Sequence, residues 1–119
     1  MTKQNPTYKR GDVILVLFPS SNLLTAKRSP ALIVQADNLQ TGLPQVIVAM
    51  ITSKMFRANH PSRIPILRST QEGQQSGLLT DSVVVTDNLA TIVESAIDRA
   101  IGSVPMIKID LALRHTLNL

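Results

Sequence analysis

The chain contains no cysteine and no tryptophan, and its aromatic side chains are one tyrosine and two phenylalanines, Tyr8, Phe18 and Phe56. Without thiols neither a disulfide framework nor a thiolate metal site can form, and a reducing compartment suits the composition. So few rings imply an aliphatic core and leave little for nucleic-acid recognition by rows of stacked aromatics. Long apolar runs are missing too. None approaches the roughly 20 residues that a membrane-spanning helix requires, and the start MTKQNPTYKRGD is polar. The expectation is a soluble, cytoplasmic protein without a membrane segment.

What is present fits a folded domain. Of 119 residues, 44% are hydrophobic and 17% charged, the balance of a globular protein. A chain of this length buries roughly two-thirds of its unfolded surface around a single core, so residues 1–119 read as one domain. Twelve Lys and Arg against eight Asp and Glu leave a net charge of +4, with an isoelectric point near 10.0. That excess favours an anionic partner, or else a basic surface that is merely solvated.

Asp12 to Phe18, DVILVLF, lies between Gly11 and Pro19 and suits a strand. ALIVQA after Pro30 and QVIVAMI after the turn TGLP are short and rich in Val and Ile, and read as two more. The basic stretch from Lys54 to Arg63 reads as a loop. A short strand follows over Ile64 to Leu67, at an edge or bulge because of Pro65, and STQEGQQSG is loop. SVVVT and LATIV are predicted as two strands separated by a turn at Asp87 and Asn88. Ile97 and Ile101 lie four apart, and Gly102 can stop a short helical turn there. Beyond Pro105, the positions Met106, Ile109, Leu113 and Thr116 or Leu117 mark one face of a terminal helix, with Asp110 and Arg114 four apart on its solvent side. The sum is a mainly β protein with a C-terminal helix, a small barrel or curled sheet covered by that helix.

Most familiar chemistry is excluded. His60 and His115 are distant in sequence and read as solvated surface histidines rather than zinc ligands. There is no Gly-rich phosphate loop and no G-x-S-x-G elbow, and no cofactor is expected. Asp81 and Asp87 could pair only through the fold. What remains are three polar groups at strand ends: Lys27-Arg28-Ser29, Thr52-Ser53-Lys54 and Thr86-Asp87-Asn88. Taken singly, each suits a turn with solvated charges. Gathered by a barrel, they would line an electropositive groove able to cleave RNA without metal. The 2′-hydroxyl is then the nucleophile, and the protein aligns it, assists proton transfer and offsets charge on the phosphorane. Planar guanidinium donors suit the last task.

The order KRGDVILVLFP, KRSPALIV, VAMITSK, GLLTDSVVVTDNLATI and IGSV, followed by a terminal segment ending in ALRHTLNL, resembles the MazF/PemK toxins over about Lys9 to Leu119. The resemblance implies an SH3-like barrel of the MazF/PemK/CcdB type and a homodimer. It further implies metal-independent endoribonuclease action on single-stranded RNA and inhibition by a cognate antitoxin protein. The family's arginine before the proline that opens the second strand falls on Ser29, with Arg28 as its substitute. Thr52 and Ser53 match the family's catalytic or substrate-aligning threonine. Asp87 matches an acidic or amide-rich position, the arginine expected after it falls on Ala90 while Thr91 is kept, and another falls on Val85. Arg28, Thr52 and Ser53 are thus the catalytic candidates. Lys27, Ser29, Lys54, Asp87, Asn88 and Thr91 are the substrate-binding ones. The vacant arginine positions keep a second reading open, a protein of the same fold that binds RNA or an antitoxin without cutting. A gyrase-poisoning branch of the fold carries a C-terminal aromatic residue that LALRHTLNL lacks.

Overall fold

In the computed structural model, residues 8–19 and 26–119 are described. Most of the polar start and most of the connection between the first two strands lie outside these residues. The elements run β1 (Asp12–Pro19), β2 (Ala26–Ile33), β3 (Gln45–Thr52), β4 (Arg63–Ile66), α1 (Gln71–Gln75), β5 (Ser82–Val93), β6 (Ile97–Ser103) and α2 (Ile107–Leu117). All strand pairings are antiparallel, in the order β4-β5-β3-β2-β1-β6.

Both faces of this sheet are covered, which explains why β1 reads as a continuous apolar run rather than an alternating one. Val13, Leu32, Ala49 and Val84 form one face with Ile109 and Leu113 of α2. Ile14, Val16, Ala31, Ile33 and Val48 form the other, with Ile92 and Ile97. Tyr8 and Phe18 pack against this second cluster.

The helix α2 is fixed at both ends. Near its start Asp110 accepts from Arg10 at 2.6 Å, and Arg10 also donates to the carbonyl of Val34 at 2.9 Å. Asp110 is therefore tied to the entry of β1 and not to Arg114, as the four-residue spacing had suggested. Near its end Thr116 donates to Ser62 Oγ at 2.7 Å and lies 2.8 Å from Thr86 Oγ1, which donates to the Ser62 carbonyl at 2.6 Å. These hydroxyls satisfy one another where Ser62 and Thr86 are buried.

Four segments differ from the sequence expectation. β2 begins at Ala26, so Lys27 and Arg28 sit on a strand and not in a loop, because Phe18 and Leu17 of β1 supply their ladder partners. SVVVT and LATIV are one strand: Val85 faces Met50 and Leu89 faces Ala49, so Thr86, Asp87 and Asn88 bulge out between consecutive partners on β3. The turn signal was real, but the ladder continues past it. STQEGQQSG contains α1, whose N-terminus is capped by Thr70 accepting from the Gly73 amide. Ile97 and Ile101 lie on β6 and not on a helical turn. Pairing with β1 makes this segment a strand, and register shifts at Asp98 and Ile101 turn Ile97 and Ile101 into opposite clusters, so their spacing of four reports neither period.

The sheet curls until β6 meets the segment after α1. A Cβ on Gly102 would lie 2.3 Å from the Gln75 carbonyl oxygen, and one on Gly77 (φ +73°) would lie 2.0 Å from that of Ile101. Only two backbones without side chains can approach this closely. The hydrogen-bonded sheet itself stays open, with β6 and β4 as its two ends, and the glycine seam packs β6 against the segment after α1. Among the described residues no helix is long and apolar enough to cross a membrane.

Candidate active site

Two strand ends and one neighbouring strand build the site. β2 and β3 pair through Ala31 and Met50, Leu32 and Ala49, and Ile33 and Val48. Continuing that register sets Ser29 level with Thr52 and Arg28 level with Ser53. On the other side of β2, Arg28 lies opposite Leu17, Ser29 opposite the buried Val16, and Pro30 opposite Leu15. Leu15 in turn lies opposite Arg99 of β6. Alternation along the strands therefore puts Arg28 and Arg99 on one face and Ser29 with Thr52 on the other, where the strands end and the faces meet at a shared mouth.

There a groove of about 620 Å³ opens, carrying the cations Lys27, Arg28, Lys54 and Arg99 and the hydroxyls of Ser29, Thr52 and Ser53. Its apolar wall comes from Leu15, Pro30, Ile51 and Leu78, and none of the described residues lining it is a carboxylate. Asp98 stands beside it, accepting from Arg28 Nε at 3.0 Å and from Arg99 Nη1 at 2.7 Å. One carboxylate thus spaces two guanidiniums at the rim and offsets half of their charge. Thr52 Oγ1 accepts from the Lys54 amide at 3.2 Å, which leaves its own proton to be donated outward to a phosphate or ribose oxygen.

Six of the nine candidate residues, Arg28, Thr52, Ser53, Lys27, Ser29 and Lys54, line this groove. Asp87, Asn88 and Thr91 do not. Asp87 receives two hydrogen bonds from Arg63, at 3.2 and 2.7 Å. Asn88 is exposed on the bulge and Thr91 lies opposite Ile47 on the exposed part of β5. The third group of the trio is thus held by structural partners: Thr86 is buried in the hydroxyl cluster and Asp87 is ion-paired.

Arg99 was not anticipated. The expected helical turn hid it. Shifts of register against β1 at Asp98 and Ile101 break the alternation of β6, so no period-two pattern in IDRAIGS points to it. His60 and His115, distant in sequence, meet edge to face with ring centroids 6.0 Å apart. Both are exposed, and His60 Nδ1 accepts from the Ser62 amide at 3.0 Å.

The hydrogen bonds from Arg63 hold the Asp87 carboxyl below its usual range, and the same pairing raises Arg63. A carboxyl whose folded-state pKa is depressed stabilises the fold above its unfolded value, about 3.9, and loses that contribution as pH falls through the folded value. The pair is solvent-accessible, so the effect is small and salt-screened. Melting curves of wild type and Asp87→Asn are therefore expected to differ at pH 6 and to converge as pH falls through the folded-state value. A gap that persists in acid would show that the ion pair is not its source.

The sequence profile of the PemK-like, MazF-like toxins of type II toxin-antitoxin systems matches residues 9–117. Over 107 residues the chain is 33% identical to endoribonuclease MazF6 of Mycobacterium tuberculosis, covering 87% of this chain and 90% of that relative. Endoribonuclease MazF2 of Mycobacterium bovis gives the same identity and coverage. Among solved structures, a mycobacterial endoribonuclease in complex with its cognate antitoxin superposes with a TM-score of 0.71 at 22% identity, over 95% of this chain and 97% of that one. A MazE-MazF complex from Deinococcus radiodurans also gives 0.71, at 13% identity, over 97% and 99% of the two chains. Because the profile runs from the turn before β1 to the last turn of α2, the chain belongs to the PemK-like, MazF-like toxin family of type II toxin-antitoxin systems.

Proposed function

We propose that this protein is the toxin of a toxin-antitoxin pair, a cytoplasmic endoribonuclease that cuts single-stranded RNA in the groove between the ends of β2, β3 and β6. The observation that carries this reading is a groove with four cationic side chains, several hydroxyls and no carboxylate among the described residues of its walls. Such a lining attracts a polyanion and repels nothing on it. The names of the relatives in M. tuberculosis and M. bovis agree with the activity, and the complexes among the structural neighbours agree with an antitoxin partner. The family resemblance also supports a homodimer of the whole 1–119 domain.

In this mechanism the nucleophile belongs to the substrate. The 2′-oxygen forms a bond to phosphorus, the bond from phosphorus to the 5′-oxygen breaks, and the proton lost from the 2′-hydroxyl ends on the departing 5′-oxygen. The products are a 2′,3′-cyclic phosphate and a 5′-hydroxyl. Arg28 and Arg99 offset the charge that builds on the phosphorane oxygens, as fixed donors do best when aimed at developing charge. Thr52 and Ser53 hold the ribose and phosphate in line. Lys27 and Lys54 grip neighbouring phosphates. The positive charge in this scheme comes from side chains, in keeping with the metal-independent action that the family resemblance implies.

A long single-stranded RNA incubated with the purified protein in EDTA is expected to be cut at a short recurring sequence, with 5′-hydroxyl ends on mapping. RNA left intact at high protein concentration would overturn the nuclease reading. Intact RNA that is nevertheless retained on the protein would favour a binding protein without catalysis. One observation makes that second reading concrete: the position level with Thr52 is Ser29, an uncharged side chain, while Arg28 projects from the opposite face of the strand.

A further inference from the structure

Two of the three aromatic rings are spent on the core: Tyr8 and Phe18 pack against the cluster around Val16. Phe56 is 78% exposed. It belongs to a 3₁₀ turn, Met55–Arg57, in which no residue is buried. A single exposed apolar side chain is ordinary and carries nothing by itself. Its surroundings carry more. The turn starts from Lys54, which lines the groove, and two Cα steps place Phe56 within about 7.6 Å of it. The Arg57 guanidinium carbon stands 5.8 Å from the ring centroid, within cation–π range on one side of the ring. The turn is closed by the Arg57 amide to the Lys54 carbonyl at 3.1 Å and the Ala58 amide to that of Met55 at 3.0 Å, so the ring stands on a fixed backbone.

We infer that Phe56 is a stacking platform for one base of the RNA strand, immediately beyond the groove, and so a substrate-positioning residue; this rests on the nuclease reading above. A flat apolar face with a cation against it matches one nucleotide, whose base stacks while its phosphate meets Arg57 or Lys54. Every base has a π-face, so the platform adds affinity with little sequence preference. It also holds one base, whichever that is, at a set distance from Thr52 and Ser53.

The probe is a mixed-sequence pool of 2′-O-methyl RNA oligonucleotides, uncleavable because the nucleophile is blocked. Phe56→Ala is expected to weaken pool binding by about tenfold, with folding unchanged. The loss should persist at high salt, because stacking releases no counterions. Lys54→Ala serves as the contrast and should lower the slope of log affinity against log salt by about 0.7. Phe56→Trp introduces the chain's sole tryptophan, whose fluorescence should be quenched as the pool saturates the protein, with wild-type affinity kept. If wild type binds the pool while Phe56→Ala binds equally well and Phe56→Trp shows no quenching, the platform is overturned and the nuclease reading stands. A change of oligomeric state in Phe56→Ala by light scattering would also overturn it, making the ring a contact between copies. Wild type that fails to bind the pool would overturn the platform, and only unmodified RNA left intact in EDTA would remove the nuclease reading as well.

Discussion

Arg28→Ala is expected to lower RNA cleavage by about 10²-fold or more, mainly in kcat, with the melting temperature unchanged. The size follows from the proposed role: a guanidinium facing the phosphorane would act where charge develops, so its loss would fall on the transition state and not on binding alone. The absence of a stability effect follows from the geometry. The Arg28 side chain is 56% exposed, and its partner Asp98 keeps Arg99 at 2.7 Å when Arg28 is gone. An exposed pair of this kind is worth at most about 1 kcal/mol. Steady-state cleavage of a defined RNA, with a thermal melt of the same sample, tests both parts. Unchanged cleavage would remove Arg28 from the site and shift the catalytic charge to Arg99.

Gly77→Ala is expected to destabilise the fold by about 3 kcal/mol or more, from the left-handed backbone and from the forced displacement of β6. The Cβ would lie 2.0 Å from the Ile101 carbonyl oxygen, and backbone cannot rotate out of the way as a side chain can. Gly42→Ala is the control. Gly42 has a similar φ, +78°, with open space around its would-be Cβ, so it bears the backbone penalty alone. Chemical denaturation of the two variants should therefore differ, and equal losses would show that the seam is not closely packed in solution. Gly77, Leu78 and Leu79 also form a groove wall, so Gly77→Ala should lose cleavage along with stability.

How far these features can be read from sequence depends on how local their causes are. β1 and β3 announce themselves because a strand buried on both faces is a short Val/Ile-rich run between turn signals. Pro65 marked the edge position of β4, since proline removes a ladder donor. The terminal helix showed its face at Ile109 and Leu113, which are buried as expected. β6 was hidden because its sequence, IDRAIGS, suits a strand only once β1 is beside it. Arg99 was lost with it. Lys27, Arg28, Thr52 and Ser53 line one groove, as the sequence suggests, because the ends of two adjacent antiparallel strands must lie together. Asp87 was separated from them by a partner, Arg63, that no local pattern ties to it.

The glycine seam also governs how this sheet meets other chains. An open edge strand offers a row of unpaired amides and carbonyls on which a further strand can grow. Here the outer side of β6 is covered where Gly102 meets Gln75 and Ser76, while β4, at the other end of the order, is four residues long and interrupted by Pro65. Neither end is a good template for strand addition, which protects a Val/Ile-rich chain from ordered aggregation. Association with other molecules is thereby directed to side chains on the faces and rims, where it can be selective.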